Sequence, residues 1–139
     1  MSVRRGVTTC LAVAVSALVG CGDSTLSSKE LQVQAEAVQS FAAEGALVAK
    51  GVEEGRTTDT FVRVHADYMA KAVRKVETEL GSKQASGSLD QKREDAARLA
   101  LLVSLNLERL HRHPGDRALA GELGPEFEDD AAAAEKLAK

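Results

Sequence analysis

The chain has 139 residues, of which 44% are hydrophobic, 28% charged and 3% aromatic, and its formal net charge is -3. These values are typical of a globular domain rather than of a disordered or fibrous chain. The scarcity of aromatic side chains leaves little material for base stacking, and the negative charge disfavours phosphate binding, so we expect no nucleic-acid partner. Cys10 and Cys21 are the only cysteines, which excludes a four-cysteine zinc site and a scaffold of several disulfides.

The amino terminus has the layout of an export signal. Arg4 and Arg5 precede an apolar run over residues 7–19, which is too short to span a bilayer, and small residues follow it. We therefore predict that residues 1–20 are a signal peptide and are absent from the mature protein. The residues around Arg4 and Arg5 match the twin-arginine pattern poorly, so we expect the general secretory route.

The end of this leader, Leu18-Val19-Gly20-Cys21, resembles the lipobox of bacterial lipoproteins. The resemblance covers only this end of the chain. It implies cleavage before Cys21 and acylation of that cysteine with chains such as palmitate, which would anchor the protein on the extracytoplasmic side of a membrane in the cell envelope. Cys10 lies in the leader, so the mature chain would hold one capped cysteine and no intramolecular disulfide.

The sequence beside Cys21 bears on where the anchor would sit. Gly22 replaces the aspartate that is associated with inner-membrane retention, so the resemblance implies sorting to the outer membrane in a cell with two membranes. A cell with a single membrane is the alternative. Removal of the leader leaves 16 basic and 21 acidic residues, a net charge of -5. This charge predicts no attraction to anionic lipid, so attachment would come from the acyl chains, two or three of which anchor stably.

Residues 21–28 are predicted to be a short tether, and residues 29–139 a single helical domain. The seven residues after Cys21 span at most about 25 Å, which would keep the domain close to the membrane. Ser27 and Glu30 have the spacing of a capping box, so we predict a first helix over 29–54 with Gly55 as its carboxyl-terminal cap.

The first helix is predicted to be amphipathic, and its apolar stripe comprises Leu31, Ala35, Val38, Phe41, Ala42, Gly45, Val48, Ala49 and Val52. The small residues on this stripe, Ala42, Gly45 and Ala49, predict the close approach of another helix.

A second helix is predicted from a cap at Thr58 or Asp59 to about Leu80, with Gly81 ending it. On a helical wheel its apolar residues fill a continuous arc of about 180° with His65 near the centre. In order around the wheel they are Val64, Tyr68, Phe61, Ala72, His65, Val76, Met69, Val62, Leu80 and Val73.

A third helix is predicted over 89–112, with Ser88 and Gln91 as a second capping box. Its middle, residues 99–107, is apolar almost all round, so we expect this helix to be the central element of the bundle. Pro114 ends it.

A short helical turn is predicted over 116–123, followed by a terminal helix that has Pro125 as its first residue. The apolar spacing of this segment, carried by Phe127, Ala131, Ala134 and Leu137 or Ala138, predicts that it docks on the bundle. No strand pattern is present in the sequence. The expected fold is all-α: a small antiparallel helical bundle of three long helices and a shorter carboxyl-terminal helix.

His65 is the first candidate for function, because an imidazole on an apolar arc needs a hydrogen-bond partner or a ligand when it is buried. Met69 and Tyr68 lie near it, so the residues are compatible with a copper site or with a haem ligand in a bundle cavity. The alternative is a structural histidine bonded to Asn106 or Ser104 of another helix. No Cys-x-x-Cys-His motif for covalent haem attachment is present.

A basic cluster at the end of the third helix is the second candidate, and it comprises Arg109, His111, Arg112, His113 and Arg117. The two histidines are about 200° apart on a helix and cannot share one intrahelical metal site. The cluster either complements the helix dipole or contacts an anion or an acidic partner.

Motifs of hydrolases and of phosphate binding are absent from the sequence, and adjacent acids such as Asp129 and Asp130 are expected only to solvate a helix. We therefore expect no enzyme. Two hypotheses remain: a membrane-anchored interaction or accessory module that contacts another envelope protein, or a carrier of a small ligand, copper or haem in a cavity around His65. A contiguous exposed apolar patch would support the first hypothesis.

Overall fold

The computed structural model describes residues 25–139, which form four helices. They are α1 (Ser28–Glu53), α2 (Asp59–Ser82), α3 (Ser88–Arg112) and α4 (Arg117–Leu137). The described part of the chain contains no strand, only an isolated bridge between Thr25 and Gln84. The predicted all-α bundle is confirmed, whereas the leader, the lipobox and Cys21 lie outside the described residues.

The predicted punctuation of α1 is confirmed at both ends. The Ser27 N–H donates to Glu30 Oε2 at 2.8 Å, and the Glu30 N–H donates to Ser27 Oγ at 3.2 Å, which is a complete capping box. These contacts with Ser27 also lower the pKa of the Glu30 carboxyl. At the other end Gly55 has φ +68. The N–H groups of Gly55 and Arg56 bond back into the last turn of α1 as a Schellman motif.

The helices pack chiefly as two pairs, α1 with α4 and α2 with α3. There are fewer contacts between α1 and α3, between α1 and α2, and between α3 and α4. The stripe of small residues on α1 permits its close packing, since a Cβ at Gly45 would lie 2.9 Å from the Phe127 ring. Phe127 is fully buried, as are Ala42 and Ala49. The predicted close approach is confirmed, and α4 is the partner.

The prediction that α3 is the central element, surrounded by the other helices, is wrong. Leu101, Leu102 and Leu105 are 37%, 47% and 43% exposed, respectively. The buried residues of α3 instead lie on one side, which includes Val103 and Leu107. In a bundle of four helices each helix buries only the side that faces the others. The apolar residues on the outer side of α3 therefore have no helix to cover them.

Helix α4 is continuous, so the prediction of a separate turn and a helix starting at Pro125 is wrong. Asp116 caps α4, accepting a bond from the Leu119 N–H at 3.0 Å, and Pro125 lies within the helix. Proline normally clashes with the Cβ of the residue before it, but that residue is Gly124. Pro125 is also solvent-exposed, where water can hydrate the carbonyl that loses its donor. The carboxyl-terminal segment docks as predicted, with Phe127 and Ala134 buried.

Two smaller predictions about helix ends are also wrong. Ser88 is the first residue of α3 and Gly87 is its cap, without a side-chain capping bond, while Gln91 donates to Asp95 at 3.2 Å. Gly87 has φ +59, a backbone conformation that suits glycine, and α3 begins one residue earlier than predicted. Gly81 continues α2 rather than ending it, and Lys83 is the cap.

Candidate interaction surface

The apolar arc of α2 divides into a buried half and an exposed half. Val62, Met69, Val73 and Leu80 are fully buried and Val76 nearly so, whereas Phe61, Val64 and Tyr68 are 49%, 67% and 66% exposed. The neighbouring helices α1 and α3 cover less than the full 180° of this arc, so half of the arc remains in contact with water. At 100° per residue the three exposed residues lie within about 60° of one another. We call Phe61, Val64 and Tyr68 the α2 apolar face.

His65 lies at the border between the two halves and not at a buried centre. Its Nε2 is 2.7 Å from Glu44 Oε1 of α1, and its ring stacks on Phe61 with centroids 5.0 Å apart and planes at 19°. The imidazole is partly exposed. The histidine therefore links α1 to α2 and supports the orientation of one member of the α2 apolar face.

The partners predicted for a structural His65 have other bonds. Ser104 Oγ donates to Leu101 O of its own helix at 2.8 Å. Asn106 Nδ2 donates to Glu126 Oε2 of α4 at 3.0 Å. Ser104 therefore bonds within α3 and Asn106 bonds to α4, while the carboxylate that His65 contacts is on α1 and not on α3.

The three residues considered for a ligand site lie in three different environments. Met69 is fully buried in the core, Tyr68 is exposed, and His65 faces Glu44. Among residues 25–139 no group of three or more histidine, cysteine and acidic side chains could hold a metal ion. No observation in the described structure brings a copper or haem ligand set together around His65.

The α2 apolar face lies far from the end of the bundle at which the chain enters. Glu44, which contacts His65, is sixteen residues into α1, about 24 Å from the start of that helix at 1.5 Å per residue. Leu47, one turn further along α1, is 71% exposed. The exposed apolar residues of α1 and α2 in this half of the bundle therefore lie far from the amino-terminal end.

Two arginines of the predicted basic cluster are ion-paired. Arg109 lies 3.8 Å from Glu126 and 4.0 Å from Glu122 of α4, and Arg112 lies 3.2 Å from Glu108. Acidic neighbours thus partly neutralise this end of α3, where basic residues also complement the helix dipole.

The remaining cluster residues have structural contacts. His111 Nδ1 is 2.9 Å from Arg63 O of α2, and His113 caps α3. The Arg117 guanidinium packs against Gly55, where a side chain would collide with it. The five residues do lie at one end of the bundle, and their contact with a partner stays a prediction.

Asp130 differs from its neighbour Asp129, although the sequence predicts that both only solvate the helix. Asp129 is exposed, while Asp130 is partly buried, and its Oδ2 has no hydrogen-bond partner in the described structure. Burial, together with the charges of Glu126 and Asp129, raises the pKa of Asp130 to about 6. This side chain is the one with the most perturbed protonation in the described part of the molecule, and nothing in its spacing distinguishes it from Asp129.

Comparison of the chain with models of known protein families, with curated proteins and with solved structures gives no match. None of the four helices of residues 25–139 has both the length and the apolar character needed to cross a membrane. The class that the structure defines is therefore an all-α helical bundle, and its function has to be argued from its surfaces.

Proposed function

We propose that this chain is a lipid-anchored bacterial envelope protein whose helical bundle is a non-enzymatic module for binding another envelope protein. The anchor rests on the lipobox-like end of the leader at Cys21. The observation that carries the binding role is the α2 apolar face, three large side chains at helical spacing that are half to two-thirds exposed.

Large exposed apolar residues that lie together on one surface are a common mark of a protein–protein contact. Phe61 and Tyr68 are aromatic, and aromatic residues are enriched in the energetically dominant part of interfaces. Their helix buries the adjoining half of its apolar arc in the core, so the face is presented on a rigid element. Binding to a rigid helix orders few side chains and no loop, so less of the binding free energy is spent on lost conformational entropy than for a partner that binds a loop.

The position of the face favours a protein over the bilayer as its partner. The face lies about 24 Å along the bundle from the end where a lipidated Cys21 would hold the chain. A domain tethered at one end contacts the membrane with that end, so the opposite half faces the aqueous compartment.

The proposal is tested by cross-linking from native host membranes with two matched double variants. Val64→Lys with Tyr68→Lys places charge on the α2 apolar face, and Leu101→Lys with Leu105→Lys does the same on exposed leucines of α3. We expect the first pair to abolish a specific cross-linked product and the second to retain it, with unchanged helix content in both. Retention of the product by the first pair would refute the assignment of the surface. Intact mass of the purified protein tests the anchor separately.

A further inference from the structure

The end of the bundle where the chain enters is chemically different from the rest of the surface. The starts of α1 and α3 meet the end of α4 around one cleft of about 480 Å³. The start of α1 meets the end of α2 around another cleft of about 430 Å³. We call this end, formed by residues 25–33, 79–93 and 133–139, the tether face.

Charge is distributed unevenly between the tether face and the remaining described surface. The tether face has six basic and four acidic residues, a net charge of +2. The rest of residues 25–139 has ten basic and sixteen acidic residues, a net charge of -6. The overall charge of the mature chain therefore conceals a bundle with a positive end, and that end is the one from which the tether leaves.

Most acidic side chains of the tether face already have partners. Glu30 accepts from the Ser27 N–H at 2.8 Å, Asp90 from Arg93 Nε at 2.9 Å, and Glu135 from Lys139 Nζ at 2.7 Å. By contrast, Lys29 and Lys92 form no ion pair within the described residues. Their ammonium groups are available to anions in the surroundings.

Apolar residues lie beside these lysines in both clefts. Lys29 lines both clefts and Lys92 lines one of them. The cleft between α1 and α2 includes Leu26 and Val33, and the cleft between α1, α3 and α4 includes Leu89. A positive group next to an apolar recess is suited to a lipid, whose phosphate binds the ammonium group while the adjoining carbon chain covers the apolar residues.

The course of the chain holds this face near the membrane. The Leu26 N–H donates to Gln84 O at 2.8 Å, which fixes the start of the domain against the end of α2. Cys21 precedes Thr25 by four residues, so it lies at most about 14 Å away. A lipid on Cys21 would therefore keep the tether face within contact distance of the bilayer.

We propose that the tether face is a membrane-docking surface that binds anionic phospholipid headgroups through Lys29 and Lys92. The orientation of this docking rests on the proposed anchoring at Cys21. Docking would hold the bundle upright, with its negative remainder directed away from the anionic surface and the α2 apolar face toward the aqueous compartment.

A single tryptophan provides the test, because the chain has none of its own. Ser88→Trp places the reporter on the tether face at an exposed residue that makes no capping bond. Leu47→Trp places it in the distant half of α1. The lipidated protein is reconstituted in vesicles with brominated acyl chains, made either of phosphatidylcholine alone or with about one third phosphatidylglycerol.

We expect the Ser88→Trp emission to be quenched more strongly in the anionic vesicles and the Leu47→Trp emission to be the same in both. Lys29→Gln with Lys92→Gln should remove the difference, whereas Lys50→Gln with Lys71→Gln should retain it. Salt at about 1 M, where the Debye length is about 3 Å, should also remove it. Equal quenching of Ser88→Trp in the two kinds of vesicle, or none in either, would overturn the proposal.

Failure of the anchor would be recognised separately, since intact mass shows whether Cys21 carries lipid. An unlipidated protein still tests the tether face by sedimentation with the same vesicles. Its partition coefficient for anionic vesicles should fall roughly fivefold for each of the two lysines removed. No sedimentation of that protein with anionic vesicles would overturn the docking proposal as well.

Discussion

Neutralising Asp130 should stabilise the bundle above about pH 6 and have no effect near pH 4. The pKa of this carboxyl is raised from 3.8 to about 6, first by burial and then by the charges of Glu126 and Asp129. The native state therefore binds the proton more tightly than the unfolded chain. Between the two pKa values stability falls as the pH rises, and above pH 6 the full cost of the buried charge is present.

The size of this cost follows from the shift of about two pKa units. At 1.36 kcal/mol per unit the shift corresponds to about 3 kcal/mol. The carboxyl is only partly buried, however, and solvent screens its charge, so we expect about 1 kcal/mol. Asp130→Asn retains the shape of the side chain while removing its charge, and it should raise the free energy of unfolding by that amount at neutral pH.

Urea denaturation followed by circular dichroism at a series of pH values measures this effect. The difference between Asp130→Asn and wild type should be about 1 kcal/mol at pH 8 and should vanish near pH 4. Asp129→Asn, a change at the exposed neighbour, should stay within about 0.5 kcal/mol. A difference for Asp130→Asn that is independent of pH, or one that grows as the pH falls, would show that a buried charge at Asp130 does not destabilise the bundle.

Three further predictions concern packing and helix ends. Gly45→Ala should lower the free energy of unfolding by about 1 kcal/mol, because overpacking against a buried ring costs more than the helix gains from alanine. Gly81→Ala, where a Cβ meets no atom within 4 Å, should instead raise it by about 0.5–1 kcal/mol. Pro125→Ala should raise it by about 1–3 kcal/mol because the residue lies within a helix. Ser27→Ala should lower it by about 1 kcal/mol through loss of the capping box, while Ser88→Ala should change it by less than about 0.5 kcal/mol.

Urea denaturation of each variant checks these values against wild type. A stabilising Gly45→Ala would show that α1 and α4 are less closely packed than described. A destabilising Pro125→Ala would support a helix that begins at the proline. Equal losses of unfolding free energy for Ser27→Ala and Ser88→Ala would show that Ser88 also caps a helix.

Local patterns in the sequence predicted most of the fold because the interactions behind them are local. The capping box of Ser27 and the positive φ of Gly55 depend on residues within one turn. The stripe of α1 predicted its buried side, since a 3.6-residue period leaves one choice of face. Pro125 misled the prediction because proline is more frequent at a helix start, and the relief supplied by Gly124 is not part of that rule.

The surfaces were harder to predict, because they depend on how far each helix is covered by its neighbours. The wheel of α2 showed one apolar arc and gave no indication that Phe61, Val64 and Tyr68 would remain exposed. For the same reason the predicted hydrogen-bond partners of His65, Asn106 and Ser104, were wrong. Glu44 lies 21 residues away in the sequence, and only the packing of α1 beside α2 brings the two together.

We propose that the α2 apolar face binds another envelope protein while Cys21 anchors the chain. A photoreactive residue at Val64 in the native host tests it most directly, with one at the exposed Arg98 on α3 as the control. We expect a discrete adduct from Val64, none from Arg98, and loss of the Val64 adduct in a Cys21→Ala background. A lipidated protein that gives no adduct from Val64, or the same adduct from both positions, would contradict it.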